Sequence, residues 1–185
     1  MKPLQYTRAQ ALPALLAQRI VILDGAMGTM IQRFKLSEEQ YRGVGYAGPG
    51  AVGDRFKDFH KHVKGNNELL SLTRPDVIRD IHESYLAAGA DLIETNTFGA
   101  TTVAQADYDM AGLAREMNLQ SAKVARAACD KFSTPEKPRY VVGALGPTPK
   151  TASISPDVND PGARNVTFET LRAAYYEQVE ALVEG

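Results

Sequence analysis

The chain is 185 residues long, 44% hydrophobic and 23% charged, which fits a globular domain of ordinary size or a piece of a larger one. Its 21 Lys and Arg balance 22 Asp and Glu to a net charge of −1, without the basic footprint that a nucleic-acid partner leaves. No apolar stretch approaches the roughly 18 residues of a membrane helix, and no basic-then-apolar leader opens the chain. A single cysteine, Cys129, excludes an internal disulfide and a multi-cysteine metal site, so a cytoplasmic setting is expected.

The run from Arg19 to Asp24 is short, apolar and rich in β-branched residues, and it predicts a strand buried on both faces. Gly25 to Met30 reads as a turn opening a short helix. Residues 37–67 hold seven glycines and prolines, many charges and no sustained period, and are expected to form a long surface insertion. Thr73, Arg74, Pro75 and Asp76 then mark a helix start, with Thr73 as the capping residue. Val77, Ile78, Ile81, Tyr85 and Ala88 fall on one helical stripe, and Gly89 supplies the stop. His82 lies off that stripe and is expected to be exposed.

Asp91 to Thr95 predicts a second strand. Thr102 and Gln105 have capping-box spacing, and a helical pattern runs from there to about Cys129, interrupted at Gly112 and Asn118. Tyr140 to Leu145 predicts a third strand, Gly146 to Val166 an irregular loop with four prolines, and Phe168 onward a helix with Leu171, Tyr175, Val179 and Leu182 on one face. Alternating strands and helices imply a parallel α/β sheet, either doubly wound or a (β/α)8 barrel. A barrel needs about 250 residues, so these units would make only its first part. The chain ends on a helix end with the look of Tyr85 to Gly89, with no strand after it.

In such sheets ligands gather at the C-terminal ends of the strands. Asp24 ends an apolar strand, where it either faces the mouth and receives a ligand ammonium group or stabilises its own turn. Gly25 and Gly28 let backbone approach a ligand closely, although two glycines making a tight turn is the plainer reading. Glu94, Thr95, Asn96 and Thr97 place four polar side chains at the second strand end, about half of which should face the mouth. The capping of a following helix is the alternative for Thr97, Thr101 and Thr102. His60 and His62 read as a solvated loop, and Cys129 as a small buried hydrophobe.

Five segments form a recognisable set: Ile22 to Met30, Lys64 to Asn67, Gly89 to Phe98, Leu145 to Thr148, and Thr151 to Pro161. Together they resemble the N-terminal homocysteine-binding module of the cobalamin-dependent methionine synthase family, a branch of the homocysteine S-methyltransferases. The run Ser153 to Asp160 and the Lys64 to Asn67 entry point to the cobalamin-dependent branch. The resemblance implies the first part of a TIM (β/α)8 barrel, incomplete over residues 1–185. It implies methyl transfer from methylcobalamin, itself regenerated from methyltetrahydrofolate, to a zinc-bound homocysteine thiolate, giving methionine. By position, Asp24 would hold the substrate amino group, the N–H groups of Gly25 and Ala26 would face its carboxylate, and Glu94, Asn96 and Thr97 would line the mouth. The family's zinc-ligand cysteines are expected beyond residue 185, and Cys129 matches none of them, so no catalytic or metal residue is assigned in this chain. The expected partners are homocysteine, the remainder of the barrel and the folate and cobalamin modules, with no nucleic acid or membrane. A cobalamin-independent methyltransferase using betaine or methylmethionine, or a non-catalytic domain, are the alternative readings.

Overall fold

A computed structural model describes residues 9–185. Helix α1 (Leu12–Gln18) has no buried residue, and the chain then runs extended alongside the sheet. The sheet itself is small. Strand β1 (Leu92–Glu94) pairs in parallel with β2 (Tyr140–Val142), with Leu92 opposite Tyr140 and Glu94 opposite Val142. On the other side of β1, Leu23 forms a single parallel bridge to Leu92, and the Asp24 N–H donates to the Leu92 carbonyl at 3.0 Å. The three segments therefore lie in chain order and parallel, with β1 central.

Asp91 fixes that register. Its carboxylate accepts hydrogen bonds from Nη1 and Nη2 of Arg19, at 2.8 and 2.7 Å, and from the Ile22 N–H at 3.0 Å. Its own N–H donates back to the Ile22 carbonyl, while its carbonyl accepts from the Tyr140 N–H. One buried residue thus joins all three segments at their entry.

The first segment differs from expectation. Ile20, Ile22 and Leu23 are 86%, 56% and 45% exposed, so this stretch is not buried on both faces. Among the described residues it has one neighbouring strand and its side chains stay open to solvent, and β-branched composition reports the preference for such cover rather than its presence. The third strand is also shorter than expected, because beyond Val142 the Ala144 N–H turns to the Thr95 hydroxyl instead of a backbone carbonyl.

Between the first segment and β1 the chain builds most of the core. Helix α2 (Met27–Arg33) follows the Asp24 turn, and α3 (Glu38–Tyr41) starts with a complete capping box between Ser37 and Gln40. Residues 37–67 are more than a surface insertion, for Tyr41, Phe56 and Val63 are core residues packed with Leu69, Leu70, Val77 and Ile81. Arg42 shapes this segment by donating to Glu38 and to the backbone carbonyls of Phe56, Lys57, Phe59 and Lys61. A 3₁₀ turn, Asn67–Leu69, leads into α4 (Leu70–Thr73) and α5 (Pro75–Ala88), which Gly89 ends at φ 110°. Thr73 does not cap α5. Its hydroxyl belongs to the preceding helix and donates to the Leu69 carbonyl.

His82 is a second correction: it is fully buried, and neither ring nitrogen has a partner among the described residues. It lies four residues from Ile78 and four from Leu86, so the buried face of α5 includes an Ile78, His82, Leu86 row beside the Val77, Ile81 row. A helix covered by neighbours on two sides buries a broader arc than a single stripe.

After β1 come α6 (Thr102–Gln105), two short 3₁₀ turns through residues 106–113, and α7 (Ala114–Phe132). The cap of α6 is Thr101, whose hydroxyl accepts the Ala104 N–H. The long pattern breaks around Gly112 but not at Asn118, which sits inside α7 and donates to the carbonyls of Ala100 and Ala114. Helix α8 (Phe168–Glu184), capped by Thr167, buries the small stripe of Ala174, Gln178 and Ala181, whereas Leu171, Tyr175, Val179 and Leu182 are only half-buried. Cys129 is a buried core residue on α7, its thiol directed at the Tyr140 carbonyl.

Two outcomes follow from the buried charges. The Arg19 guanidinium holds the Asp91 carboxyl at about 2, so its contribution is present above 3.8 and lost as pH falls toward 2. Arg19→Ala should therefore lower the thermal midpoint at neutral pH, with the gap to wild type narrowing at acid pH. A pH-independent gap in calorimetry would contradict this. Burial drives His82 from 6.5 to about 4, so the unfolded chain protonates first and stability falls as pH drops through that interval. His82→Leu should flatten the urea midpoint across the interval, and an unchanged slope would refute the assignment.

Candidate functional site

The three strand ends meet at a cavity of about 310 Å³, bounded by residues 24–28, 67–68 and 94–98 and by Ala144. Its polar walls carry the carboxylates of Asp24, Glu68 and Glu94, and among the described residues no Lys, Arg or His lines it. The sequence places Asp24 there because the hydrogen bonds at Ile22 and Asp91 fix the phase of the first segment two residues earlier.

Asp24 is half-buried, and its Oδ1 accepts the Glu94 N–H at 2.8 Å. Burial pushes its carboxyl up to about 6, opposed by that N–H and reinforced by the neighbouring Glu94 charge. The carboxylate has no cationic partner among the described residues, and it faces the cavity rather than closing its own turn. One oxygen thus ties the first segment to β1 while the group still lines the open space.

Gly25 and Ala26 follow as the turn. A Cβ on Gly25 would meet nothing within 4 Å, which leaves the cavity floor clear at that position. The left-handed residue of the turn is Ala26, at φ 53° and ψ 29°, not either glycine. A non-glycine residue in that region stores about 1 kcal/mol of strain or more, and such strain collects at ligand sites. Gly28 stands in ordinary contact with Asn67, whose Nδ2 would lie 3.7 Å from an added Cβ.

Glu94 contributes a half-buried side chain beside Asp24. Asn96 and Thr97 also border the cavity, but their polar groups hold the rim together. The Asn96 N–H donates to Ser121, and its amide donates to the Asn67 carbonyl at 2.7 Å and to Ser71 at 3.2 Å. Thr97 donates to the Ala144 carbonyl at 2.8 Å, and the Ala144 N–H reaches Thr95 at 3.0 Å. The two hydroxyls lie 2.6 Å apart, so Thr95 must be the donor between them. Alternation along the strand therefore fails to predict which of these groups is free. Each is claimed by a helix or a neighbouring strand.

Helix α8 braces the same rim. Gln178, buried, donates to the Thr97 carbonyl at 2.8 Å, and the Tyr175 hydroxyl donates to the Gly146 carbonyl at 2.7 Å. Gly146 is required by closeness: an added Cβ would lie 2.3 Å from the Phe98 carbonyl oxygen.

Asn67 and Glu68 escaped the sequence reading as pocket residues. Asn67 accepts the Tyr41 hydroxyl at 2.9 Å, and Glu68 accepts the Gly99 N–H at 2.8 Å. Burial raises the Glu68 carboxyl, with that N–H opposing. The Lys64 to Asn67 segment immediately before Glu68 was the available signal. His60 and His62 lie away from the cavity on the exposed loop, His60 against Asp109 and His62 3.8 Å from Glu38. Among the described residues no three His, Cys, Asp or Glu side chains are placed to hold a metal, and no helix is long and apolar enough to cross a membrane.

Cys129 does not answer to a metal thiolate. Burial pushes its thiol up to about 11.

Solved structures of the homocysteine methyltransferase MmuM from Escherichia coli, in metallated and oxidized forms, are similar to this chain. Each aligns with a TM-score of 0.64 and 21% identity over 95% of this chain. The match covers 54% and 53% of those proteins, so the chain spans about half their length, and at this identity the likeness is one of fold. The family model described as homocysteine S-methyltransferase matches residues 21–185, from the first strand segment through α8 and all three sides of the cavity. With that match over nearly the whole length, the chain belongs to the homocysteine S-methyltransferase family.

Proposed function

We propose that this chain supplies the amino-acid-binding half of an enzyme that transfers a methyl group to the sulfur of homocysteine, giving methionine. The observation that carries this reading is the Asp24 carboxylate, set at the strand ends before an open cavity and without a cationic partner. An α-ammonium group would supply the missing charge. Glu94 stands beside it, the N–H groups of Gly25 and Ala26, in the turn that borders the cavity, would receive the substrate carboxylate, and Asn96 and Thr97 keep the rim in shape.

Three parallel segments in chain order, with helices between them, fit the first part of a (β/α)8 barrel. The unpaired outer edges of the first segment and β2 suit continuation of that sheet. The run from Ser153 to Asp160 favours the cobalamin-dependent methionine synthases, with methylcobalamin as donor and methyltetrahydrofolate as its source, in the cytoplasm. Homocysteine and the remaining barrel, folate and cobalamin modules are the partners in that reading. Zinc does not fit the residues present. Among the described residues there is one buried cysteine and no group of three His, Cys, Asp or Glu placed to hold a metal, so in this reading the zinc ligands lie outside this chain and the chain alone is expected not to methylate homocysteine. In this reading these residues hold the amino and carboxylate groups of the amino acid at the strand ends.

Calorimetric titration of homocysteine into wild type and Asp24→Asn tests the reading. Asparagine keeps an acceptor for the Glu94 N–H, so the fold should survive while affinity drops about tenfold to a hundredfold, the worth of a charged hydrogen bond. Wild-type affinity should also weaken as pH falls below about 6, where Asp24 takes up a proton, and the variant should lack that step. Equal affinities for the two proteins near neutral pH would remove Asp24 from the site.

A further inference from the structure

We propose that Glu68 is a specificity-determining residue of this cavity, a second carboxylate that selects ligands carrying an ammonium group and rejects those that carry only a carboxylate. The inference rests on the amino-acid pocket described above, and it adds a residue outside every strand end.

Glu68 is placed by backbone that cannot easily move. Asn66, before it, is fully buried and exchanges two side-chain hydrogen bonds with Gln105, at 2.7 and 3.1 Å. Asn67 is held by the Tyr41 hydroxyl and by the Asn96 amide on its carbonyl. Leu69, after it, is fully buried in the main core. Between these anchors the Glu68 side chain turns to the cavity and lies over Gly99, close enough that an added Cβ there would meet Oε1 at 3.0 Å.

Its partners are too few for its surroundings. Only backbone N–H groups, those of Gly99 and of Glu68 itself, reach the carboxylate, and no Lys, Arg or His pairs with it among the described residues. Other acids withdrawn from solvent hold an arginine: Asp91 has Arg19, Glu38 has Arg42, and Asp76 has Arg74. A carboxylate kept from water without a counter-ion is unfavourable unless something else brings the charge. Asp24 and Glu68 share that deficit and share the cavity. A zwitterionic amino acid relieves it by placing its ammonium group between carboxylates, with its own carboxylate toward the Gly25 turn. A thiol acid of the same length without the amino group brings a second negative charge to the same walls, and repulsion excludes it.

The hydrogen bond from the Gly99 N–H alone would give a purely structural account of Glu68, and Glu68→Gln separates the two. Glutamine keeps the acceptor for the Gly99 N–H and loses the charge. The 185-residue chain, wild type and variant, is titrated with L-homocysteine and with 4-mercaptobutanoate, its analogue without the amino group. Homocysteine affinity should fall about tenfold in the variant, 4-mercaptobutanoate affinity should hold or rise, and the preference between them should shrink. A variant that melts like wild type and keeps the wild-type preference overturns the role of Glu68 and leaves Asp24 untouched. Failure of wild type to bind homocysteine overturns the amino-acid pocket and this inference with it. Should the variant not fold, the side-chain carboxyl ¹³C resonance of Glu68 in wild type is the readout. It should move with homocysteine and stay with 4-mercaptobutanoate, and a resonance indifferent to homocysteine overturns the proposal.

Discussion

The architecture depends on Asp91. Its carboxylate and both of its backbone polar groups are engaged, with Arg19 and Ile22 on one side and Tyr140 on the other. This fixes three segments in one parallel register at the end where they enter the sheet. At about 3.3 Å per residue the opposite ends emerge roughly 10 Å away, and the residues that emerge there together are Asp24, Glu94 and Ala144. A one-residue slip would turn Asp24 to the other face and dissolve the cavity. The charge at the bottom of the sheet is well compensated, so it can serve as a fixed point for a top that is not.

That top combines stiffness with electrostatic discomfort. The threonine pair bridging β1 to Ala144, the Asn96 amide gripping Asn67 and Ser71, and the Gln178 amide on Thr97 satisfy nearly every polar group of the rim. The carboxylates inside accept backbone N–H groups but have no counter-charge among the described residues. Ala26 adds backbone strain at the same place. Sites that must bind a charged ligand commonly hold such unrelieved terms, supported by a surrounding shell that prevents relaxation. Here the shell comes from α4, α7 and α8, elements far apart in the chain.

Much of this was legible in the residues. The β-branched run before Asp24, the Pro75 to Gly89 helix and the Asp91 to Thr95 strand were readable because apolar runs and helix stops are written locally. Asp24 was readable for a simpler reason: a carboxylate closing an apolar strand needs a special environment. Burial was less legible. His82 looked exposed because its covering comes from a second neighbour, and Ile22 looked buried because composition does not say whether a neighbour exists. The fates of Asn96 and Thr97 depend on Ser121 and Ala144, tens of residues away. Glu68 was hidden by its place at the edge of an irregular stretch, where no period gives a phase. The segment 37–67 earned its core position through Arg42 and three apolar side chains that glycine-rich composition masks.

The closed-in thiol of Cys129 has a practical side. A sulfhydryl held protonated and packed under β2 reacts slowly with alkylating reagents at neutral pH. The native chain can therefore accept an engineered cysteine on an exposed position without first being stripped of its own. A fluorophore or spin label attached there would report from one known address, and the motions of the cavity rim could be followed in an otherwise unaltered molecule.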